Sequence, residues 1–315
     1  MVADRGIPDN VLLRLPVRFR RAGSSFGVGF MGMNSWTVRG GKVVDPAPFC
    51  LIGILNVTPD SFSDGGSFLN RERAVQHGLE LLDEGAGMLD IGAESTRPFA
   101  APVGAEEETA RLLPVLRSLR EARPDAFISV DTFRARTARA ALEAGADVIN
   151  DVSACTWEPE LLDVIAEYRP GYVLMHSQGN PQEMQAAPRY GNVVEDILAF
   201  FEQKLELLTA AGLPEDHIVL DPGVGFGKNR EHTEALLQGI ERFASLGRPL
   251  YVGLSRKSLF REILGLERVE ERSEPTRLAV ALLAARGIPY HRVHEVAGCA
   301  RALQLVRAMT PGFSS

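Results

Sequence analysis

Nine polar side chains fall where short apolar runs end along this 315-residue chain. Asn56 closes "FCLIGILNV", Asp90 lies in "MLDIG", and Asp131 and Asn150 sit in "FISVDT" and "VINDVS". His176 ends "YVLMH", Asp221 ends "HIVLD", Lys257 follows "LYVGLS", and Arg292 and His294 share "HRVHEV". Side chains alternate faces along a strand, so Arg292 and His294 point one way and Val293 the other. A cation beside an imidazole suits a phosphate or diphosphate, and Arg97 in "ESTRP" and Arg256-Lys257 in "SRKS" add charge from other loops. Asp131, Asp221 and the amide of Asn150 could instead serve a planar heterocycle bearing amino and ring N–H groups, since a carboxylate accepts two parallel N–H bonds. A metal cage of Asp side chains is the rival reading, opposed by the lysine among them. Taken singly, each residue has a plainer reading; Asp131, for instance, could cap the helix "RARTARAAL".

Two stretches carry further chemistry. "GILNVTPDSFSDGG" (53–66) runs from an apolar strand into a loop crowded with Asn, Asp, Ser and Gly, the composition of a rim over a site. "DPGVGFGKN" (221–229) is not a phosphate-binding P-loop, because Pro222 replaces the first glycine and no Ser or Thr follows Lys228, nor a dinucleotide fingerprint, because its third glycine is out of register. Its glycines predict a sharp turn and a close approach of backbone to a flat ligand. Phe226 either offers that ligand an aromatic edge or packs in the core.

The elements that must position these groups follow from periodicity. From Phe49 onward eight β-like runs alternate with amphipathic stretches such as "ERAVQHGLELLDEGA", "ARTARAALEAGA" and "VEDILAFFEQKLELLTAAG". "DEGAGMLD" and "EAGADVIN" share one device, a helix ended by glycine with a strand beginning shortly after. Such alternation implies parallel strands joined by right-handed crossovers. A (β/α)8 barrel leads, with an open doubly wound sheet as the alternative; a barrel gathers all nine residues at the C-terminal mouth of its strands. "SWTVRGGKVVD" reads as a hairpin turning at Gly40-Gly41, a lid for the N-terminal end. The organisation predicted is an extension over 1–45 and a barrel over 46–315.

Composition bounds the function. The chain is 45% hydrophobic and 24% charged, as globular proteins are, and long enough for one barrel of roughly 250 residues plus an extension. A net charge of -7 argues against a general nucleic-acid surface, so an anionic ligand needs a local basic cluster. Cys50, Cys155 and Cys299 lack metal-ligand spacing and suit a reducing compartment as buried apolar residues. No signal-peptide core opens the chain, and "LAVALLAA" is too short to cross a bilayer. The expectation is a soluble cytoplasmic protein.

In the order "GILNVTPDSFSDGG", "DIGAESTRP", "ISVDT", "VINDVS", the pattern around "QGNP", "DPGVGFGKN", "GLSRKS" and "RVHEV", the chain resembles the dihydropteroate synthase family of pterin-binding enzymes. The resemblance covers nearly all of 49–310. It implies a (β/α)8 barrel, a homodimer, and a transferase that joins 7,8-dihydropterin-6-ylmethyl diphosphate to 4-aminobenzoate. It further implies that Asp131, Asn150, Asp221 and Lys257 hold the pterin and that Asn56 binds Mg2+ on the diphosphate. Arg97, Arg292 and His294 would take the anion, while Thr96, Pro98, Phe226 and Ser255 line the aminobenzoate side. Asp64 would stand near the reacting methylene, in a loop that closes over the substrates, and sulfonamides would compete for the aminobenzoate place. Three departures stand out: Ala93 for a frequent Gly, Glu295 for a usual Asp after the histidine, and Phe99 where Gly is common after "STRP". Among rivals, a methyltetrahydrofolate-dependent methyltransferase needs no diphosphate cluster, and a sugar-phosphate barrel leaves the Asp/Asn set unexplained. A non-catalytic paralogue would have lost Asn56, Arg97, Lys257, Arg292 or His294, and all five are present.

Overall fold

A computed structural model describes residues 34–58, 67–94, 103–179 and 188–310. The chain opens with an antiparallel hairpin, β1 (Trp36–Val38) and β2 (Lys42–Val44), turning at Gly40 and Gly41 as their positive φ allows. Eight parallel strands and nine helices follow among the described residues: β3 (Cys50–Asn56), α1 (Ser67–Asp83), β4 (Met88–Gly92), α2 (Ala105–Ala122), β5 (Phe127–Asp131), α3 (Ala135–Glu143) and β6 (Val148–Asp151). Then come α4 (Leu161–Tyr168), β7 (Gly171–Met175), α5 (Val193–Ala210), β8 (Ile218–Asp221), α6 (Arg230–Gln238), β9 (Tyr251–Val252), α7 (Leu259–Leu264), α8 (Ser273–Ala285), β10 (Tyr290–Val293) and α9 (Val296–Met309).

The sheet runs β8-β7-β6-β5-β4-β3-β10-β9. A parallel bridge between Leu220 and Leu250, with the Leu220 N–H donating to the Pro249 carbonyl at 3.0 Å, joins its two edges. The result is a (β/α)8 barrel rather than an open sheet. The helix-ending device holds twice: Gly85 after α1 and Gly145 after α3 both take positive φ before the next strand.

Strand periodicity sorts the side chains. One face of the strands, including Leu51, Leu89, Ile128, Ile149, Leu174 and Leu220, packs in the larger core with residues of the helices. The other contributes Ile52, Met88, Phe127, Val148, Val173, Val219, Tyr251 and Tyr290 to a second, smaller cluster that includes Trp36, Val38 and Val44 of the hairpin. The hairpin therefore closes the barrel floor. Trp36 is fully buried, donates its indole N–H to the His217 carbonyl at 2.7 Å and meets Tyr290 edge-on, with ring centroids 5.6 Å apart. The Tyr290 hydroxyl in turn lies 2.8 Å from the Asn34 carbonyl and 3.0 Å from that of Val44. No described helix is long and apolar enough to cross a membrane.

Candidate active site

Two residues beyond this apolar floor, the same strand faces turn polar. Met88 gives way to Asp90, Phe127 to Ser129, Val148 to Asn150, Val219 to Asp221 and Tyr290 to Arg292. Cross-strand register then sets Asn56 beside Gly92, Gly92 beside Asp131, and Asp131 beside Asn150. The interior thus changes from hydrocarbon to hydrogen-bonding groups in one step, facing the C-terminal mouth.

At the centre stands Arg292. Its Nε donates to Asp90 Oδ2 at 2.5 Å and one Nη donates to Asp131 Oδ2 at 2.9 Å. Asp90 is fully buried; its other oxygen accepts from the Ser129 hydroxyl at 2.6 Å, and Oδ2 also accepts from the Asn150 amide at 3.0 Å. Burial disfavours the guanidinium charge, but Asp90 and Asp131 together outweigh that and hold its pKa above the ordinary value. Burial pushes the Asp131 carboxyl up to about 7; Arg292 opposes the shift and the charge of Asp90 adds to it. Asp131 does not cap α3, whose N-cap is Arg134 with no side-chain bond.

Asp221 ends β8, two strands from Arg292 around the closed barrel. Its Oδ1 accepts from the Gly223 N–H at 2.8 Å, and burial raises its pKa against the pull of Lys257. Lys257 donates to the Val224 carbonyl at 2.5 Å, sits 4.7 Å from the centroid of the Phe226 ring, and is brought down to about 8 by burial. Phe226 is thereby placed at the site, half-buried, rather than in the core. Arg256 bonds Ser273 at the start of α8, so it is Lys257 alone of the "SRKS" pair that enters the cluster. Ser255 accepts from the His294 N–H at 3.1 Å and lies 2.9 Å from its Nδ1, tying β9's end to β10's.

The glycines of "DPGVGFGKN" make the sharp turn the sequence suggested, with positive φ at Gly223, Gly225 and Gly227, and two of them also meet protein backbone. A Cβ on Gly223 would lie 1.9 Å from the His176 carbonyl oxygen, and one on Gly227 would lie 2.6 Å from that of Gln178. Both adopt positive φ. They let the loop pack on the backbone that follows β7. Lys228 completes that junction. Its buried ammonium reaches His176 Nδ1 and the Gly223 carbonyl at 3.0 Å and the Phe226 carbonyl at 3.1 Å. Burial takes Lys228 down to about 7, and burial together with that ammonium takes His176 to about 2, so the imidazole is a neutral acceptor.

Sequence reasoning named Asp90 without a task, and it missed Ser129 and the Lys228–His176 junction. The signal for Ser129 was its place two residues before Asp131, on the same strand face. Glu295 proves to be the N-cap of α9, accepting from the Gly298 N–H at 2.7 Å, and Ala93 is buried. Asp64, Thr96, Arg97, Pro98 and Phe99 lie outside the described residues.

Three acceptors share one feature. Asp131 Oδ2 and Asp221 Oδ1 are held by the protein, as is the Asn150 amide nitrogen. Asp131 Oδ1, Asn150 Oδ1 and Asp221 Oδ2 have no partner among the described residues. Three oriented acceptors over an apolar floor, with Lys257 beside them, match a flat molecule rich in N–H groups. For a divalent cation, the donor left over is the amide oxygen of Asn56, because Arg292 already takes Oδ2 of the neighbouring Asp131. Asn56 Oδ1 and Asp131 Oδ2 would each lie 3.8 Å from a Cβ placed on Gly92, so the bare glycine keeps the space between them open. No group of three or more His, Cys, Asp or Glu among the described residues is arranged as a cage. The Asn56 oxygen fits an Mg2+ that keeps its waters and arrives on a phosphate.

The model of the "Pterin binding enzyme" family matches residues 52–294. The chain is 41% identical over 259 residues to the dihydropteroate synthase of Synechocystis sp., covering 82% of this chain and 89% of that protein. It is also similar to solved structures. The Xanthomonas albilineans dihydropteroate synthase with 4-aminobenzoic acid superposes with a TM-score of 0.81 at 41% identity, covering 88% of this chain and 99% of that one. The Yersinia pestis dihydropteroate synthase in a sulfonamide drug complex gives a TM-score of 0.81 at 39% identity, covering 87% and 98%.

Proposed function

The chain belongs to the pterin binding enzyme family, and within it we propose that this barrel acts as a dihydropteroate synthase. It condenses 7,8-dihydropterin-6-ylmethyl diphosphate with 4-aminobenzoate, giving 7,8-dihydropteroate and pyrophosphate. The observation that carries the assignment of residues is the set of three half-used acceptors. Asp131, Asn150 and Asp221 would take the amino and ring N–H groups of the pterin, and Lys257 would donate to its acceptor edge.

The chemistry follows from the partners. An aromatic amine is a weak nucleophile, so the demanding event is loss of the diphosphate. The C–O bond at the methylene breaks, the diphosphate keeps the electron pair, and the electron-rich dihydropterin stabilises the resulting cation. The amine nitrogen then forms the C–N bond and releases a proton. Arg292 and His294 stand at the end of β10 on the anion side, and preorganised charge of this kind acts where the leaving group develops. Arg97 joins them in this reading, as does Asp64 beside the methylene. Asn56 would hold Mg2+, which supplies charge to the diphosphate. Ser255, Phe226, Thr96 and Pro98 would line the aminobenzoate side, where a sulfonamide competes.

A second copy of the chain is the partner this reading expects. Leu278 and Leu282 on α8 are 61% and 68% exposed, and Leu305 and Met309 on α9 are 62% and 78% exposed. Each pair is one helical turn apart, and α8 packs on α9. Paired helix faces of this kind suit burial in a homodimer. Three unpaired buried cysteines support a cytoplasmic setting.

The experiment for the pterin assignment is calorimetric titration with 6-hydroxymethyl-7,8-dihydropterin, which lacks the diphosphate. The wild type should bind it. Asp221→Asn should bind about 10–100-fold more weakly, the scale of about 1.5–3 kcal/mol for a hydrogen bond to a charged group. Equal affinity in both proteins would remove Asp221 from the pterin site.

A further inference from the structure

We propose that Asp90 is a positioning residue for the reaction, locking Arg292 and Asn150 to each other through a single carboxylate oxygen. The proposal rests on the functional reading above and adds a residue that reading does not use.

Asp90 sits mid-strand in β4, below the layer that faces the mouth, and is fully buried. Its hydrogen-bond partners among the described residues are all side chains of the barrel interior: Ser129, Asn150 and Arg292. Its Oδ2 accepts from the Asn150 amide at 3.0 Å and the Arg292 Nε at 2.5 Å, while Oδ1 accepts from Ser129 at 2.6 Å. Asp90 Oδ2 is the acceptor in both of its bonds. Asn150 must therefore turn its NH2 inward and its Oδ1 toward the pterin, fixing which end of an otherwise ambiguous amide meets a ring N–H. Arg292 is fixed in the same way. With Nε on Asp90 and an Nη on Asp131 at 2.9 Å, its guanidinium plane cannot rotate without breaking one of the two bonds. One buried atom thus aligns the amide assigned to the heterocycle with a guanidinium assigned to the departing anion. Such alignment is the kind of preorganisation that raises turnover without touching the reacting atoms.

The test is a pair of double-mutant cycles. Dihydropterin affinity is measured for wild type, Asp90→Asn, Asn150→Ala and the double variant; kcat is measured for the corresponding set with Arg292→Lys. Asp90→Asn should weaken dihydropterin binding at least tenfold and lower kcat at least tenfold. In the Asn150→Ala background its further effect on binding should shrink to less than twofold, and in the Arg292→Lys background its further effect on kcat should do the same. Equal losses in every background, which a merely structural role predicts, would overturn the proposal; so would Asp90→Asn within twofold of wild type.

A second measurement needs no folded Asp90 variant. In 15N-arginine-labelled wild type, the resonance lost in Arg292→Lys should show an Nε–H that exchanges slowly with solvent. Rapid exchange would mean that the lock is absent. Wild type assayed alongside separates the two levels: no dihydropteroate formed would sink the functional reading, whereas normal turnover with uncoupled cycles would sink only Asp90.

Discussion

Asp131 carries the least ordinary charge among the acceptors proposed to hold the pterin. Burial pushes its pKa up to about 7, with Arg292 opposing and Asp90 adding to the shift. In the free protein the carboxylate is therefore largely protonated at pH 6 and largely ionised at pH 8. If it binds ring N–H groups as the anion while Lys257 keeps its proton, dihydropterin affinity should be several-fold weaker at pH 6 than near pH 7.5. Lys257, brought down to about 8, loses its proton above that, so affinity should fall again on the alkaline side. Calorimetry across pH 5.5 to 9 should give a maximum near neutrality, and a flat profile would contradict the assigned protonation states. At this scale the sequence was informative about residue type and face. Asn56, Asp131, Asn150, Asp221, Lys257, Arg292 and His294 were legible because strand ends in a barrel converge. Asp90's connections were not, because a carboxylate that pairs with Asn150 and Arg292 looks the same on paper as one that caps a helix. Only the closed barrel brings positions 90, 150 and 292 within bonding distance.

Among the elements, the eight parallel strands were readable from apolar runs and helix-ending glycines. The hairpin's task was half readable. Its turn glycines announced the fold-back, while the floor it forms depends on Trp36 meeting Tyr251 and Tyr290, residues more than 200 positions away in sequence. In the loop after β8 the sequence displayed the turn but not the packing partner. Gly223 and Gly227 answer to the backbone at His176 and Gln178, a neighbour that local sequence does not display. Helices α8 and α9 carry the prediction that belongs to this scale. Their exposed leucines leave apolar surface that a second copy would cover. Sedimentation velocity at micromolar concentration should find a dimer, and Leu282→Glu should shift it to monomer without changing the far-ultraviolet spectrum. A monomeric wild type, or a variant that stays dimeric, would place the contact elsewhere or abolish it.

For the whole molecule, the decisive feature is a gradient along the barrel axis. Trp36 and the inward apolar layer form an apolar floor, Asp90, Ser129 and Asn150 form a hydrogen-bonded middle, and Asp131, Asp221 and Arg292 add charge toward the strand ends. A flat, N–H-rich ring can rest on such a floor with its charged arm directed outward. The net charge of -7 does not oppose this, since Lys257 and Arg292 both lie beside Gly253 at the same mouth. The central claim is that this gradient supports transfer of the pterin methylene from diphosphate to an aromatic amine. Its most direct test is release of pyrophosphate by the purified protein given the dihydropterin diphosphate, 4-aminobenzoate and Mg2+, with each omitted in turn. The account predicts release, matched by dihydropteroate, only when all three are present. Release without 4-aminobenzoate, or pterin binding with no release at all, would contradict it.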